Sequence, residues 1–423
     1  MDRDSQIYRT YLQILDRELI PAMGCTEPIA VAYCAAIARR TLGSMPERVE
    51  IEASGNIIKN VKSVVVPNTG GLRGVEAAAA IGIVAGDDSL GLEVVSRVSE
   101  EDKSRLKAFM AETPISVRPA RSNLVLDVSV KVCAGEESAR ARIINHHTGL
   151  ALIEKNGSIL FEDEPTNPAA EDELDYSLLT VAGIYDFAVS LEIDDVRELF
   201  EKQIKYNCAI AQEGLENDYG ANIGKVLITQ GDDVHTMARA KAAAASDARM
   251  SGCELPVVIN SGSGNQGITV SVPVVEYSLE LGSGENMLYR ALAISNLTAI
   301  HLKEGIGRLS AYCGAVSAGA SAGAAISFLC GGDLDSISHT IVNALAISSG
   351  MVCDGAKPSC AAKIAVAVDC GLLAMEMYDA GQQFYGGDGI VRKGVENTIS
   401  NISVLGRDGM RETDRTIIEL MTQ

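Results

Sequence analysis

Apolar positions near the start of the chain repeat every three to four residues, which is the spacing of an amphipathic helix. The pattern predicts one helix over residues 7–20 and a second after the loop "PAMGC", with Thr26 or Glu27 as its cap and Pro28 in its first turn. We expect the helices of residues 1–45 to pack on the helical domain that the rest of the sequence predicts.

Between residues 46 and 161 the apolar period shortens to two, which is typical of strands with one buried face. The strand-like segments are "ERVEIEAS", "VKSVVV", "NLVLDVSVKV", "SARARIIN" and "GLALIEK". Helical windows lie between them at 75–84 and about 98–112. This mixture predicts an α+β domain with a largely antiparallel sheet over residues 46–161.

The stretch 162–175 combines two prolines with a run of acidic residues, which is typical of an exposed linker. Residues 176–423 are mainly helical in pattern, with helical windows at 176–215 and 233–250, Ala-rich segments over 285–380, and a strand-like insertion at 255–275. The predicted fold class is therefore α+β, with a mostly antiparallel sheet domain and a largely α-helical domain that carries the clustered cysteines.

The amino-acid composition argues against some classes of function. The 423 residues suffice for two domains, and 47% of them are hydrophobic. A net charge of −20, 4% aromatic residues and no Trp argue against nucleic-acid binding, because phosphates would be repelled and stacking platforms are scarce. The segment 311–332 is long but consists mostly of Ala, Gly and Ser, so we predict a buried helix and no membrane association. Its small-residue faces are compatible with a homodimer.

Ten cysteines are too dilute for a secreted disulfide framework, and the charged start of the chain carries no secretory signal. We therefore expect the reducing cytoplasm. Six cysteines lack a neighbourhood that suggests activation and are assigned to packing: Cys34, Cys133, Cys208, Cys253, Cys330 and Cys370. The other four lie beside turn-forming residues: Cys25, Cys313, Cys353 and Cys360.

The spacing of these four leaves alternatives open. None forms a C-x-x-C pair, so zinc is only weakly indicated. Cys313, Cys353 and Cys360 could be packing residues, or they could converge on an iron–sulfur cluster whose fourth iron stays open as a Lewis acid. Cys25 precedes a helix whose dipole favours the thiolate, so it could act as a nucleophile or base. A buried cysteine before a capped helix is the alternative.

A glycine-rich segment, "NSGSGNQG" at 260–267, has backbone amides that could bind a carboxylate or phosphate. It lacks the G-K-[ST] of a P-loop and the βαβ frame of a dinucleotide site, and a plain loop is an equal alternative. Turn and hairpin roles account for "ASGNIIKN", "VVVPNTGG" and "NHHTG".

Six segments together resemble the signature regions of one family: "PAMGCTEPIA", "SGNIIKN", "VPNTGG", "NSGSGNQG", "CGAVSAGASAGAA" and "MVCDGAKPSCAAK". They are similar to the L-cysteine desulfidases, which belong with a wider group of proteins that carry a serine-dehydratase-like α-chain domain. The resemblance runs from about residue 7 to 410, and the Cys-bearing segments are its most specific part. The "NHHTG" stretch departs from the family pattern after His-Thr, so no role is assigned to His146 or His147.

The resemblance implies an oxygen-sensitive [4Fe–4S] lyase that splits L-cysteine into pyruvate, ammonia and sulfide without pyridoxal phosphate. It implies that Cys313, Cys353 and Cys360 hold the cluster and that Cys25 is the proton acceptor. Iron–sulfur L-serine dehydratases have a longer gap between the last two cysteines, so the shorter gap here favours the desulfidases. The expected ligand is therefore a small amino acid.

Loop residues are the expected substrate contacts: Ser54, Asn56, Lys59, Ser261, Gly262, Ser263, Gly264, Asn265 and Gln266. Three alternatives to cysteine cleavage stay open. The same cluster could act on L-serine or another β-substituted amino acid. A pyridoxal-phosphate lyase could use Lys357 or Lys363, although no phosphate cup is recognisable. The protein could also be a non-enzymatic iron–sulfur sensor or binding protein.

Overall fold

The computed structural model describes residues 1–122, 124–163, 174–307 and 309–422. Its α-helices are α1 (Gln6–Glu18), α2 (Thr26–Leu42), α3 (Gly55–Val61), α4 (Val75–Ala85), α5 (Glu100–Glu112), α6 (Val181–Ser190), α7 (Arg197–Glu216), α8 (Ile223–Ile228), α9 (Val234–Met250), α10 (Gly264–Glu280), α11 (Glu285–Glu304), α12 (Gly314–Leu329), α13 (Leu334–Ser348), α14 (Ser359–Asp379), α15 (Val395–Val404) and α16 (Arg411–Thr422). The strands are β1 (Pro21–Met23), β2 (Arg48–Ala53), β3 (Ile115–Pro119), β4 (Asp127–Ala134), β5 (Glu137–Ile144), β6 (Leu150–Lys155), β7 (Ser158–Glu162) and β8 (Pro256–Val258).

Six strands form the main sheet, in the order β3-β2-β4-β5-β6-β7. β2 and β3 run parallel, and every other neighbouring pair is antiparallel, with Ile51 opposite Val130 and Val130 opposite Ala141. These three apolar side chains are buried, since α2 packs across β4, β5 and β6, and α4 packs beside α2. The predicted α+β class and the largely antiparallel sheet are confirmed.

Two strand predictions were wrong. The segment "VKSVVV" contains the end of α3 and a single bridge between Val65 and Arg73. Of the predicted insertion at 255–275, only β8 is extended, paired with β1, and α10 begins at Gly264. A β-branched composition raises strand propensity only weakly, and burial of α10 among other helices outweighs it.

The C-terminal half is helical, with α12 packed against α10, α11, α13 and α14. Most side chains of α12 are small and buried, as predicted for 311–332, and no helix in the described ranges is long and apolar enough to cross a membrane. Gly319 lets α12 and α14 approach until their backbones touch, because a Cβ there would lie 2.2 Å from the carbonyl oxygen of Ala367.

The two N-terminal helices pack in different places. α1 lies on the helical part, where Tyr8 and Tyr11 contact the ring of Phe187 with centroid distances of 5.0 and 5.4 Å. α2 instead covers the sheet, so it belongs structurally with the α+β region. Most of the linker predicted at 162–175 lies outside the described residues.

Candidate active site

Four helices begin at the wall of one cavity of about 110 Å³, which lies between the sheet region and the helical half. They are α2, α10, α12 and α14, and the residues at their starts that line the cavity are Cys25, Thr26, Glu27, Ser263, Asn265, Gln266, Cys313, Gly314, Ala315 and Cys360. The first N–H groups of a helix have no partner within the helix, and the helix dipole is positive there. The cavity is therefore suited to anionic groups.

Backbone pairing brings Cys313 and Cys353 together, although they are forty residues apart in the sequence. The N–H of Cys353 donates to the carbonyl of Ala311 at 2.6 Å, and the N–H of Cys313 donates to the carbonyl of Met351 at 3.1 Å. Both cysteines line the cavity. A short antiparallel contact thus places two of the predicted ligands side by side.

The loop after Cys353 carries the third predicted ligand, Cys360, into the first turn of α14. Within the loop Asp354 accepts hydrogen bonds from Lys357 and, at 2.5 Å, from Lys363. Although burial alone would raise it, these two cations lower the pKa of Asp354 to about 2. The loop and the start of α14 therefore place two lysines and one carboxylate beside the three thiols, a net positive charge that reduces repulsion between thiolates.

The three thiols form a donor set that fits a cluster. Burial, and then the negative charge of Cys353, raises the pKa of Cys313 to about 12, and burial also raises that of Cys360. Three buried thiols at one cavity lose their protons together only when a cationic centre takes the place of those protons. The described His, Cys, Asp and Glu side chains form no group suited to a single metal ion. A [4Fe–4S] cluster binds each cysteine through a different iron, so its ligands need not converge on one point.

Cys25 is the N-cap of α2, a position that the sequence analysis assigned wrongly to Thr26 or Glu27. Its Sγ donates to Oε2 of Glu27 at 3.0 Å, and Oε1 of Glu27 accepts from Asn60 at 3.1 Å. Burial, followed by the charge of Glu27, raises the pKa of Cys25 well above its usual value. The thiolate expected from the helix dipole is therefore not the resting state, because the thiol is only 2% exposed and faces a carboxylate.

Glu27 itself stays ionised. Burial would raise its pKa, but the charge of His147, the hydrogen bond from Cys25 and the charge of Arg249 together lower it. The sequence analysis treated Glu27 only as a capping residue. A carboxylate in contact with a buried thiol is an acid–base pair at the cavity wall.

The glycine-rich segment forms a tight turn into α10. Ser261 and Gly262 have φ angles of +50° and +77°, and Ser263 caps the helix. Beneath the turn, Asn260 donates to the side-chain oxygen of Asn296 at 3.0 Å, in a fully buried position. Five predicted contacts line the cavity: Ser261, Gly262, Ser263, Asn265 and Gln266. Gly264 does not line it; it packs against a buried arginine, Arg249.

The substrate contacts predicted on the sheet side differ in whether their side chains line the cavity. Lys59 lines the cavity, but its ammonium pairs with Asp414 of α16 at 2.6 Å. Asn56 lines an outer groove, and its buried side-chain oxygen has no hydrogen-bond partner within the described ranges. Ser54 lines neither space, and its hydroxyl donates to the carbonyl of Val125 at 2.8 Å. Ser54 is therefore a structural residue.

The outer groove, of about 970 Å³, adjoins the cavity and shares five lining residues with it: His147, Ser261, Lys303, Leu309 and Ser310. Sequence reasoning did not find Arg249, Lys303 or Tyr312 as cavity residues, because each lies in or beside an apolar segment without a motif. His147 reaches the cavity wall and His146 the groove.

The six cysteines assigned to packing do not share the cavity. Cys34, Cys133 and Cys253 are buried, Cys208 and Cys370 are partly buried, and Cys330 is exposed at the end of α12. The packing assignment is therefore wrong for Cys330, whose helix ends at the surface.

The lysines considered for a Schiff base are both ion-paired. Lys357 and Lys363 share Asp354, and the pKa of Lys363 is raised overall: burial opposes the charged form, but the hydrogen bond to Asp354 outweighs it. A Schiff-base lysine needs an accessible neutral amine. This pairing counts against the pyridoxal-phosphate alternative.

Comparison with known proteins places the chain in a family. Residues 89–419 match the family model described as serine dehydratase alpha chain. A UPF0597 protein of Desulfitobacterium hafniense is 57% identical, over 100% of this chain and 98% of its own length. UPF0597 proteins of Lachnoclostridium phytofermentans and Finegoldia magna are 50% and 46% identical, each over 98% of this chain and 100% of their own length. The chain therefore belongs to the serine dehydratase alpha-chain family.

Proposed function

We propose that this protein is an iron–sulfur lyase that removes the β-substituent of a small L-amino acid, with L-cysteine as substrate and pyruvate, ammonia and sulfide as products. The observation that carries the proposal is the meeting of Cys25, Cys313, Cys353 and Cys360 at one cavity, at the starts of three helices and one loop. Membership of the serine dehydratase alpha-chain family supports the lyase class.

In this proposal Cys313, Cys353 and Cys360 hold a [4Fe–4S] cluster. When bound, the cluster supplies a Lewis-acidic iron that has no cysteine ligand. The chain contributes the surrounding charge: Lys357 and Lys363 lie beside the thiolates, and the positive ends of α10, α12 and α14 face the cavity.

Cys25 is the proton acceptor in this scheme, and Glu27 makes that role possible. As the thiol proton of Cys25 moves to Oε2 of Glu27, 3.0 Å away, the sulfur takes the proton from Cα of the substrate in the same step, so no free thiolate accumulates. The electron pair left on Cα forms the Cα–Cβ double bond, the Cβ–S bond breaks, and the proton held by Glu27 passes to the leaving sulfur, which departs as hydrogen sulfide. The aminoacrylate product tautomerises to an imine, and water hydrolyses it to pyruvate and ammonia.

The test is an anaerobic assay of the reconstituted protein with L-cysteine, D-cysteine and L-serine, measuring pyruvate, ammonia and sulfide. Equal amounts of the three products from L-cysteine, at a kcat/KM well above that for L-serine, support the proposal. Turnover of L-serine alone would make the protein a dehydratase of the same lyase class. Bound cluster without turnover of any amino acid would favour the sensor alternative.

A further inference from the structure

Arg249 is a buried cation that the sequence pattern gave no reason to expect at a site. It is the penultimate residue of α9, its side chain lines the cavity, and only 2% of the residue is exposed. A basic residue near the end of a helix is ordinarily explained by the helix dipole. The helix dipole does not explain why this side chain is buried, because a guanidinium at the end of a helix can interact with the dipole while it remains in solvent.

The hydrogen bonds of Arg249 are incomplete. One terminal nitrogen donates to the side-chain oxygen of Asn265 at 3.1 Å, and Nε is buried without an acceptor. Within the part of the chain that the structure describes, no carboxylate forms an ion pair with this guanidinium. The nearby carboxylate of Glu27 is engaged by Cys25 and Asn60. The charge of Arg249 lowers the pKa of Glu27, so the two groups interact, but among the described residues that carboxylate makes no hydrogen bond to the guanidinium. A buried guanidinium with incomplete hydrogen bonds is costly, so the wall is suited to an anion that can accept from it.

The position of the guanidinium is fixed by its neighbours. A Cβ atom on Gly264 would lie 2.3 Å from Nε, and 2.8 Å from Val257, so Arg249 and Val257 pack tightly against the first residue of α10. The side-chain oxygen of Asn265, the second residue of α10, accepts a hydrogen bond from a terminal nitrogen of Arg249 on the same side. The arginine and the free N–H groups at the start of α10 therefore belong to one rigid wall.

The chemistry of this wall selects a planar anion. A guanidinium binds a carboxylate through two parallel hydrogen bonds, and helix N–H groups add further donors. The cavity volume of about 110 Å³ admits only a small molecule. Gln266 also faces the cavity, and its buried side-chain oxygen has no hydrogen-bond partner among the described residues, so it is suited to a donor such as an amino group.

We infer that Arg249 binds the α-carboxylate of the amino-acid substrate and of the three-carbon oxo acid that it yields. The inference deepens the proposed function and rests on it for the identity of the substrate. The carboxylate lies on the cavity side of the wall that the guanidinium and the start of α10 form together, and Cα then lies toward the wall that carries Cys25 and Glu27. Arg249 thereby restricts the site to small α-carboxylates.

The experiment measures pyruvate binding to iron-free protein by calorimetry, with methyl pyruvate as the uncharged control compound. The variants are Arg249→Met and Arg249→Lys, and Arg239→Met is the matched control. Arg239 lies in the same helix, but it pairs with Asp369 at 3.0 Å and is absent from the cavity wall. Circular dichroism and thermal midpoints check that every variant is folded.

Pyruvate should bind the wild type and the Arg239→Met protein, and methyl pyruvate should bind neither. Arg249→Met should weaken pyruvate binding about 10- to 100-fold, the range for loss of a charged hydrogen-bond pair, and Arg249→Lys should lie between. In the reconstituted enzyme the same substitution should raise KM for L-cysteine by a similar factor with iron content unchanged.

Three results overturn the inference: no pyruvate binding to the wild type, equal binding by Arg249→Met, or loss of iron as the main effect of that substitution. The last would mean that the guanidinium serves the cluster. Pyruvate binding that depends on Arg249 in a protein without amino-acid turnover would keep the carboxylate site and refute the proposed reaction. The two failures are therefore distinguishable.

Discussion

Gly319 sets the distance between two of the helices that carry the candidate ligands. A Cβ atom on Gly319 would lie 2.2 Å from the carbonyl oxygen of Ala367, and one on Gly371 would lie 2.3 Å from the carbonyl oxygen of Gly319. Cys313 lies at the start of α12 and Cys360 in the first turn of α14. The spacing of the two helices therefore also sets the spacing of these two thiols.

The expected effect of Gly319→Ala on the stability of the protein follows from this contact. Real Cβ atoms essentially never approach closer than 3.0 Å, so a 2.2 Å contact must open by about 0.8 Å through movement of the helices. Overpacking costs about 1–3 kcal/mol, and the better helix propensity of alanine returns about 1 kcal/mol. We expect a net loss of stability of about 1 kcal/mol. The functional loss should be larger, since a misplacement of about 1 Å can reduce activity roughly 100-fold.

The assay compares the wild type, Gly319→Ala and Gly350→Ala. Gly350 precedes the Cys353 loop, and a Cβ atom added to it would have no heavy atom within 4 Å beyond its chain neighbours, so it is the matched control. After anaerobic reconstitution and desalting, Gly319→Ala should retain less iron, show a lower thermal midpoint and lose most activity, while Gly350→Ala should match the wild type. Wild-type iron content, midpoint and activity in Gly319→Ala would refute the reasoning.

The remaining predictions concern two side chains of the cavity, the ion pair of the buried Lys59, and one buried acid. Cys25→Ala should leave iron content unchanged and lower kcat at least about 100-fold, as loss of a general base does; retained turnover would remove Cys25 from that role. Glu27→Gln should lower kcat similarly in the same assay, and an unchanged kcat would exclude the relay. Asp414→Ala leaves the ammonium of Lys59 buried without that carboxylate. In urea titrations this substitution should lower the free energy of unfolding by about 3 kcal/mol. The double variant that also carries Lys59→Met should recover most of that stability. An unchanged free energy of unfolding in Asp414→Ala would contradict a stabilising ion pair at this position. Burial raises the pKa of Asp247 to about 6, so its ionisation lowers stability as pH rises from about 4 to 6. Asp247→Asn should raise the thermal midpoint at pH 7.5 but not at pH 4, and equal effects at both would contradict this.

The fold was predictable where the sequence pattern is local. Alternation over β2, β4, β5 and β6 matches the observed sheet, and the helical windows from 176 onward match observed helices. The strand predicted at "VKSVVV" failed because β-branched residues also suit buried turns and helix ends. Likewise α10 is β-branched but buried on nearly all sides, and tertiary contacts outweigh its local propensity.

Turn residues mark four cysteines in the sequence, and the structure brings these four to one cavity, but the sequence does not indicate their electrostatic surroundings. The sequence does not indicate that the side chain of Arg249, near the end of α9, packs against Gly264. Nor does it indicate that Asp414 pairs with Lys59, which is more than three hundred residues away in the chain. The protonated state of Cys25 depends on burial and on the orientation of Glu27, which only the packed structure defines.

The central claim is that Cys313, Cys353 and Cys360 together hold an iron–sulfur cluster. The most direct measurement is of iron and acid-labile sulfide per chain after anaerobic reconstitution, in the wild type and in the triple variant with alanine at these positions. A variant with alanine at Cys34, Cys208 and Cys370, which lie outside the cavity, is the control. The account predicts about four iron and four sulfide per chain in the wild type and the control, and none in the triple variant. Absence of iron from the wild type, or its retention in the triple variant, would contradict it.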